Sequence, residues 1–317
     1  MRRLGWPAAA LAVTAGCGLT SGSPMADDVE PGSIGRGEPL KGAHLTVTSK
    51  SFTESLVMGA IMGIAFQAAG ADVLDRTGIQ GSIGGREAVL KGDADAMYEY
   101  TGTAWITYQG NSEPITDPYR QWEAVRDADL RNGLTWLPPS RLNNTYALAM
   151  NRANFKKYGT KTLSDVAVLA KRDPGAVTLC VEGEFANRAD GLPGMRRAYG
   201  MDVPSGRITQ MDTGIIYTQA AKGSCVYGEV FTTDGRITSM DLVVMDDDKK
   251  FFPNYNAAPE INTETLKKWP AIAEVLNPIT EKLDNTVAQE LNAKVDVEGE
   301  DPHQVGLDWL KKEGFVK

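Results

Sequence analysis

Six aromatic residues lie at or just beyond the ends of segments with the pattern of β-strands, and their ring faces could bind a cation. These residues are Tyr98, Tyr100, Tyr146, Phe231, Phe252 and Tyr255. In open α/β sheets, ligands bind beyond the carboxyl ends of the strands. Ring faces that meet there can enclose a cation that has no hydrogen to donate, and each face contributes about 0.5–2 kcal/mol. Taken singly, each ring could equally belong to the hydrophobic core.

Catalytic chemistry has little support in the sequence. The only histidines are His44 and His303, and no histidine lies near Cys180 or Cys225 along the chain. A Ser-His-Asp triad, a Cys-His pair and a His-rich metal site are therefore not expected. The carboxylates at 246–248 are typical of a solvated turn rather than of a hydrolase acid pair. We predict a protein that is not an enzyme and that binds no cofactor or metal.

The composition is that of an acidic globular protein. The chain has 317 residues, of which 42% are hydrophobic and 23% are charged. This length leaves room for two domains of ordinary size. The formal net charge of -8 disfavours contact with a phosphate backbone, so we expect no nucleic-acid partner.

The N-terminus has the layout of a bacterial export signal. Two arginines precede an apolar stretch, Leu4–Ala15, which is shorter than the roughly 20 residues that cross a bilayer. We assign residues 1–16 to a signal peptide. The small residues before Cys17 resemble a lipobox, apart from Thr14 in place of the usual leucine, and predict lipidation of Cys17; an incidental cysteine is the alternative. Residues 17–42, rich in Gly, Ser and Pro, would tether an extracytoplasmic domain to the outer face of the cell membrane.

The two remaining cysteines, Cys180 and Cys225, lie in strand-like segments at 177–182 and 225–227. In an exported chain an even pair of cysteines favours a disulfide, which neighbouring strands of one sheet could bring together. Two buried free thiols are the alternative.

Predicted strands and helices alternate along most of the chain. Strands are expected at 44–48, 72–75, 95–99, 145–150, 177–182, 207–212, 225–231 and 241–245. Helices are expected between a Thr53 cap and a Gly70 stop, and at 85–91, 101–109, 118–131, 163–172, 193–199 and 214–222. The tail should be mostly helical, with caps at Thr263, Asp284 and Asp301. The alternation predicts an α/β protein with two lobes, each an open, mostly parallel sheet flanked by helices.

Six motifs occur in a specific order along this chain. They are Ser49–Glu54 (SKSFTE), Gly92–Thr103 (GDADAMYEYTGT), Asn143–Ala147 (NNTYA), Glu184–Gly191 (EFANRADG), Phe231–Ile237 (FTTDGRI) and Asp247–Tyr255 (DDKKFFPNY). In this order and spacing they resemble the glycine betaine/choline/carnitine substrate-binding proteins of osmoprotectant ABC transporters. The resemblance covers roughly residues 43–315, nearly all of the chain that follows the predicted tether.

The resemblance implies a type II periplasmic-binding-protein fold in which the chain crosses between two lobes twice, near 148 and 250. Residues 43–147 and 251–317 would form a discontinuous first lobe, and residues 148–250 the second. The ligand would lie between the lobes, which close on it by a hinge motion.

The resemblance also implies which residues contact the ligand. A cage for the trimethylammonium group would consist of Tyr100, Tyr146, Phe231 and Tyr255. Phe231 stands where family members usually have tyrosine, so the ring face is kept but a phenolic hydrogen bond is lost. The ligand carboxylate would contact Lys50, Thr103 and Arg188. The alternatives are a solvated loop lysine, a polar residue in the first turn of a helix, and a surface ion pair of Arg188 with Asp190, respectively. A carboxylate favours charged donors, and a guanidinium can offer two parallel hydrogen bonds.

We therefore expect a substrate-binding protein of an ABC importer that captures a quaternary-ammonium solute, with glycine betaine as the first candidate. Choline, carnitine and ergothioneine are alternative ligands, and a solute-sensing lipoprotein without a transport role is an alternative function. Its partners would be the small ligand, the ABC permease with its ATPase, and the membrane through the lipid anchor. The protein would act as a monomer.

Overall fold

The computed structural model describes residues 22–25 and 29–317 as an α/β protein. The predicted signal peptide 1–16 and Cys17 lie outside the described residues, as does part of the predicted tether. The strands are β1 Ser23–Pro24, β2 His44–Lys50, β3 Asp72–Ile79, β4 Ala96–Tyr100, β5 Leu134–Trp136, β6 Tyr146–Asn151, β7 Leu179–Val181, β8 Ile208–Gln210, β9 Tyr227–Phe231, β10 Leu242–Val244 and β11 Ala257–Asn262.

Helices occupy most of the sequence between these strands. They are α1 Thr53–Ala68, α2 Ser82–Lys91, α3 Thr101–Thr103, α4 Pro118–Leu130, α5 Arg152–Tyr158, α6 Leu163–Arg172, α7 Gly183–Asn187, α8 Leu192–Tyr199, α9 Thr213–Lys222, α10 Arg236–Ser239, α11 Thr263–Lys268, α12 Ala271–Lys282, α13 Asn285–Asp296 and α14 Pro302–Lys312. The predicted helix at 101–109 is instead the short α3 followed by a π-helical turn, Ala104–Tyr108.

The strands form two mixed sheets, with the orders β1–β3–β2–β4–β11–β5 and β10–β6–β9–β7–β8. Pairs are parallel along β3–β2–β4 and along β9–β7–β8, and antiparallel elsewhere. The predicted α/β class is confirmed, but the sheets are less parallel than expected. No helix directly precedes β6 or β11 in the described chain, because each strand is entered directly from a strand of the other sheet. Parallel neighbours in one sheet need a helical crossover between them, and β6 and β11 instead pair antiparallel with their neighbours.

The turn between β2 and α1 carries residues of the site. β2 ends at Lys50, and α1 begins at Thr53. The prediction of Thr53 as the helix cap is wrong: Phe52 occupies that position without a side-chain capping bond, and the Thr53 hydroxyl donates to Asp296 at 2.7 Å. Since α1 is almost wholly buried against β2, β3 and α14, this turn is held on a rigid support.

Two strands of the first sheet have weak sequence signals. β5 has only three residues, and β11 contains Pro259, which lacks the N–H that a central strand normally donates. β11 nevertheless lies between β4 and β5. In the tail, Asp284 and Asp301 cap α13 and α14 as predicted, whereas Asn262 caps α11 and Thr263 is its first residue.

The predicted disulfide between Cys180 and Cys225 is present in the second sheet, with the two Cα atoms 5.8 Å apart. Cys180 lies in β7, and Cys225 precedes β9, the strand that pairs with β7. Within residues 22–25 and 29–317, no helix combines the length and the apolar character that a bilayer crossing requires.

Candidate ligand-binding site

A cavity of about 360 Å³ lies at the strand ends of both sheets. All seven residues that the sequence analysis assigns to ligand binding line it: Lys50, Tyr100, Thr103, Tyr146, Arg188, Phe231 and Tyr255. The structure therefore brings together side chains that lie up to 205 positions apart in the sequence (255 minus 50).

Strand ends explain why the aromatic residues converge. Tyr100 is the last residue of β4, Phe231 is the last residue of β9, and Tyr146 is the first residue of β6. Tyr146 and Phe231 are direct partners in the β6–β9 pair. Tyr255 comes two residues before Ala257, which is the partner of Tyr100 in the β4–β11 pair. Three of the four predicted rings are thus placed by strand ends, and Tyr255 is placed by the segment that leads into β11.

Gly102, in the turn after β4, has a packing role beneath Tyr255. A Cβ atom at this position would lie 2.7 Å from the Asn254 carbonyl oxygen and 2.7 Å from ring atom Cδ1 of Tyr255. Contacts that close do not occur between real atoms, so a side chain here would displace the ring. The glycine in the motif that follows Tyr100 therefore lets Tyr255 pack closely against α3.

The rings form a continuous wall that includes one residue the sequence analysis did not assign. The ring centroid of Phe52 lies 6.0 Å from that of Tyr100 and 5.5 Å from that of Phe231. Tyr146 lies 5.3 Å from Phe231 and 5.3 Å from Tyr255. We call these five residues, Phe52, Tyr100, Tyr146, Phe231 and Tyr255, the ring wall. Phe52 bridges rings that would otherwise be separate.

Two tyrosines of the ring wall donate their hydroxyls to buried carboxylates. The Tyr100 hydroxyl donates to Glu54 Oε1 at 2.6 Å, and the Tyr255 hydroxyl donates to Asp190 Oδ2 at 2.7 Å. Burial raises the pKa of both phenols well above the usual value, and the negative carboxylates add to the rise. Both rings therefore stay neutral phenols with electron-rich faces.

Lys50 is buried and already paired. Its Nζ lies 2.5 Å from Glu99 Oε1 and 4.8 Å from the ring centroid of Tyr100. Glu99 also accepts hydrogen bonds from the Tyr100 backbone N–H at 2.6 Å and from the Tyr108 hydroxyl at 2.7 Å. Lys50 is thus held in place by Glu99 and is not a solvated loop lysine.

Arg188 is held on a second buried carboxylate. Its Nε and Nη2 donate to Asp190 at 2.9 Å and 2.5 Å, and Nη2 also lies 3.4 Å from the Thr103 hydroxyl. Burial opposes the charge of Arg188, but the interactions with its neighbours, Asp190 among them, keep the pKa of the guanidinium well above its usual value. Nη1 points to Glu184 Oε2 at the longer distance of 3.5 Å.

Glu184 joins the two sides of the cavity. Its carboxylate accepts hydrogen bonds from the backbone N–H of Ser82 at 2.7 Å and from the Ser82 hydroxyl at 2.9 Å. Ser82 begins α2 beside the first sheet, whereas Glu184 lies in α7 after β7 of the second. Burial would raise the pKa of Glu184, but the bonds from Ser82 and the charges of Lys50 and Arg188 keep it below the usual value. The ionised carboxylate of Glu184 therefore closes the end of the cavity that lies next to Arg188.

Several residues of the site could not be assigned from the sequence. They are Phe52, Glu54, Glu99, Glu184 and Asp190. A signal exists for one of them, because Glu99 interrupts the otherwise apolar strand Ala96–Tyr100 between two tyrosines. Glu184 and Asp190 lie within four residues of Arg188, but their contacts with Ser82 and Tyr255, and that of Glu54 with Tyr100, join distant segments. Within the described ranges, no cluster of His, Cys, Asp and Glu is arranged to hold a metal ion.

Comparisons with known proteins agree with this geometry. The family described as "Substrate binding domain of ABC-type glycine betaine transport system" matches residues 43–312. A glycine-betaine-binding protein of Pseudomonas aeruginosa is 40% identical over 273 residues, which cover 84% of this chain and 87% of that protein. The ergothioneine transport permease/ergothioneine binding protein EgtU of Helicobacter pylori is 32% identical, over 86% of this chain and 48% of that protein.

Solved structures show the same architecture. The crystal structure described as a glycine betaine/carnitine/choline ABC transporter is 28% identical, with a TM-score of 0.70 over 86% of this chain and 99% of that chain. Apo YehZ of Escherichia coli has a TM-score of 0.65 at 27% identity, over 86% of this chain and all of that chain. The chain belongs to the family of substrate-binding domains of ABC-type glycine betaine transport systems.

Proposed function

We propose that this protein binds a zwitterionic quaternary ammonium compound, glycine betaine first among them, in the cavity described above. The trimethylammonium group lies against the ring wall, where Tyr100, Tyr146, Phe231 and Tyr255 offer ring faces. The carboxylate lies toward Lys50, Thr103 and Arg188. The observation that carries this proposal is one cavity lined by both an aromatic wall and two buried cations.

The relatives support the ligand class and leave its member open. One relative is named for glycine betaine, a second for ergothioneine, and a third, OpuCC of Listeria monocytogenes, for carnitine at 31% identity. All three compounds combine a trimethylammonium group with a carboxylate. This shared chemistry is what the two ends of the cavity would recognise.

The lobes we propose are residues 43–147 with 251–317, and residues 148–250. Ligand binding draws them together through contacts such as Glu184 with Ser82 and Tyr255 with Asp190, each of which joins the two parts. The closed form would then deliver its ligand to an ABC permease and its ATPase. Hinge closure of this kind is a general property of two-lobed binding proteins.

Isothermal titration with glycine betaine, carnitine, proline betaine, ergothioneine and choline tests the proposal. We expect a betaine to bind most tightly. Choline should bind more weakly by a factor of roughly ten or more, because it leaves Lys50 and Arg188 without a ligand carboxylate. If choline binds most tightly, the carboxylate assignment is wrong. If none of the five binds, the ligand class itself is wrong.

Cys17 is the proposed lipid attachment site that keeps the mature protein, as a monomer, on the outer face of the membrane. In a bacterial host, the wild-type protein should sediment with membranes, and the Cys17→Ala variant should be found in the soluble extracytoplasmic fraction. Equal membrane association of both proteins would exclude an anchor at Cys17.

A further inference from the structure

Glu54 is a buried carboxylate directly behind the ring wall. It lies in the first turn of α1, and 4% of its surface is exposed. It lines a small cavity of about 10 Å³ beside the main one, together with Phe52 and Phe231. Through Oε1 it accepts the hydroxyl hydrogen of Tyr100 at 2.6 Å. Glu54 is therefore one hydrogen bond away from a ring that faces the ligand.

The hydrogen bonds around Glu54 favour its ionised form. Besides Tyr100, three groups donate to it: Asn144 Nδ2 at 2.9 Å, the Thr233 hydroxyl at 2.5 Å and Asn292 Nδ2 at 3.2 Å. Each carboxylate oxygen accepts two of the four bonds, so a proton on Glu54 would displace a donor. Burial outweighs these four bonds and leaves the pKa of Glu54 above its usual value, while the bonds limit the rise. The start of α1 adds a favourable dipole for a negative charge.

The negative charge of Glu54 has no cationic partner in the described part of the chain, where no Lys, Arg or His forms an ion pair with it. Arg236 lines the same small cavity, but it is paired with Asp234 at 2.5 Å and with Asp296 at 3.3 Å. The contrast is Asp190, which also accepts a ring-wall hydroxyl but is paired with Arg188. A buried charge without a counter-ion is costly unless something else supplies one.

We propose that Glu54 is the counter-charge for the cationic group of the ligand and acts on it through the Tyr100 hydroxyl and ring. Glu54 does not contact the ligand, so it is a positioning residue that selects for positive charge. The hydrogen bond to a carboxylate makes the Tyr100 ring face more negative, and the ligand cation in turn offsets the buried charge. This inference rests on the proposed function, since it requires a quaternary ammonium ligand against the ring wall.

A pair of ligands that differ only in charge tests the inference. Glycine betaine and 3,3-dimethylbutyrate have the same shape and the same carboxylate, but the second has carbon in place of the charged nitrogen. Both dissociation constants are measured for the wild type and for Glu54→Gln. We expect the preference for glycine betaine over 3,3-dimethylbutyrate to fall roughly tenfold in the variant, because it loses a nearby buried negative charge. Using the ratio cancels any general damage to the site.

Asp129→Asn is the matched control, because Asp129 is also a fully buried carboxylate whose pKa stays low beside Arg86, and it lies in α4 outside the cavity lining. Its preference between the two ligands should stay at the wild-type value. If Glu54→Gln does not fold, a second pair decides. Tyr100→Phe removes the hydroxyl that contacts Glu54, whereas Tyr146→Phe removes one that forms no hydrogen bond to a described carboxylate. Tyr100→Phe should lower the preference more than Tyr146→Phe does.

The outcomes separate this inference from the proposed function. Suppose that the wild type binds glycine betaine and that Glu54→Gln leaves the ratio of the two dissociation constants unchanged. The counter-charge role is then wrong, and the proposed function stands. The same conclusion follows if Tyr100→Phe and Tyr146→Phe change the preference equally. If the wild type binds neither ligand, the proposed function fails, and this inference fails with it.

Discussion

The two ends of the cavity differ in how their charges are already satisfied. At the ring wall, Tyr100 and Tyr255 direct their hydroxyls to buried carboxylates, and Lys50 Nζ already lies 4.8 Å from the ring centroid of Tyr100. At the polar end, Lys50 and Arg188 already form short ion pairs with protein carboxylates. A ligand cation can therefore be added at the first end without breaking an ion pair. A ligand carboxylate at the polar end must share Lys50 and Arg188 with the protein carboxylates that already pair with them.

This difference predicts a division of roles. The ring wall should supply most of the affinity, since desolvated cation contacts with several rings add up. The polar end should add less affinity, because its gain from a new anion is reduced by the pairs already present. Its role is to distinguish ligands with a carboxylate from those without one. The predictions that follow test this division, beginning with the largest expected effect.

Removing a ring should weaken every quaternary ammonium ligand, with or without a carboxylate. Tyr100→Ala should cost roughly a hundredfold in affinity, or about 2.7 kcal/mol, in titration calorimetry. Tyr119→Ala is the control, because that ring is exposed on α4 and lies outside the cavity. An unchanged affinity in Tyr100→Ala would remove the ring wall from the binding site.

Glu229 lies below the polar end, where burial raises the pKa of its carboxyl to about 8. The folded protein keeps the proton up to that pH, whereas the unfolded chain releases it near the ordinary value of 4.5. Stability from this group is therefore lost as the pH rises from about 5 to 8. Relative to the wild type, Glu229→Gln should gain roughly 1.4 kcal/mol of unfolding free energy for each pH unit of this range, measured by denaturant unfolding. Parallel pH profiles of the two proteins would contradict the raised pKa.

Removing the guanidinium should affect the two ligand types unequally. Arg188→Ala should weaken glycine betaine roughly tenfold but leave choline unchanged or slightly tighter, because Asp190 then lacks its counter-ion. Arg188→Lys keeps the charge without the two-pronged geometry, and should fall between the wild type and Arg188→Ala for glycine betaine. Equal losses for both ligands would mean that Arg188 acts only on the structure of the site.

Restoring a hydroxyl on the ring wall should have the smallest effect. Phe231→Tyr keeps the ring face that stacks on Phe52. We expect the affinity for glycine betaine to change by less than about threefold, since cation attraction by phenol and benzene faces is similar. A tenfold change, measured in the same titrations, would show that Phe231 sets ligand preference through more than its ring face.

Local patterns along the chain predicted most of the elements, and they failed where tertiary context overrides local pattern. β2 alternates and α1 is a long apolar run that ends near Gly70, whereas β11 contains Pro259 and depends on pairing with β4 and β5. The candidate residues were found through the resemblance of their motifs to a known family, because a position at a strand end left each ring equally able to belong to the core. Asp190 lies two residues from its partner Arg188 in one motif, whereas Glu99 and its partner Lys50 lie in distant segments and are brought together only by the folded chain.

The disulfide turns one part of the binding surface into a covalent ring. Glu184, Arg188 and Asp190 lie in the segment between Cys180 and Cys225, and the disulfide joins the two ends of this segment. A protease that cuts once within this ring leaves both pieces attached to the rest of the chain. A single cut at an exposed turn of this segment therefore leaves the residues of the cleft covalently connected.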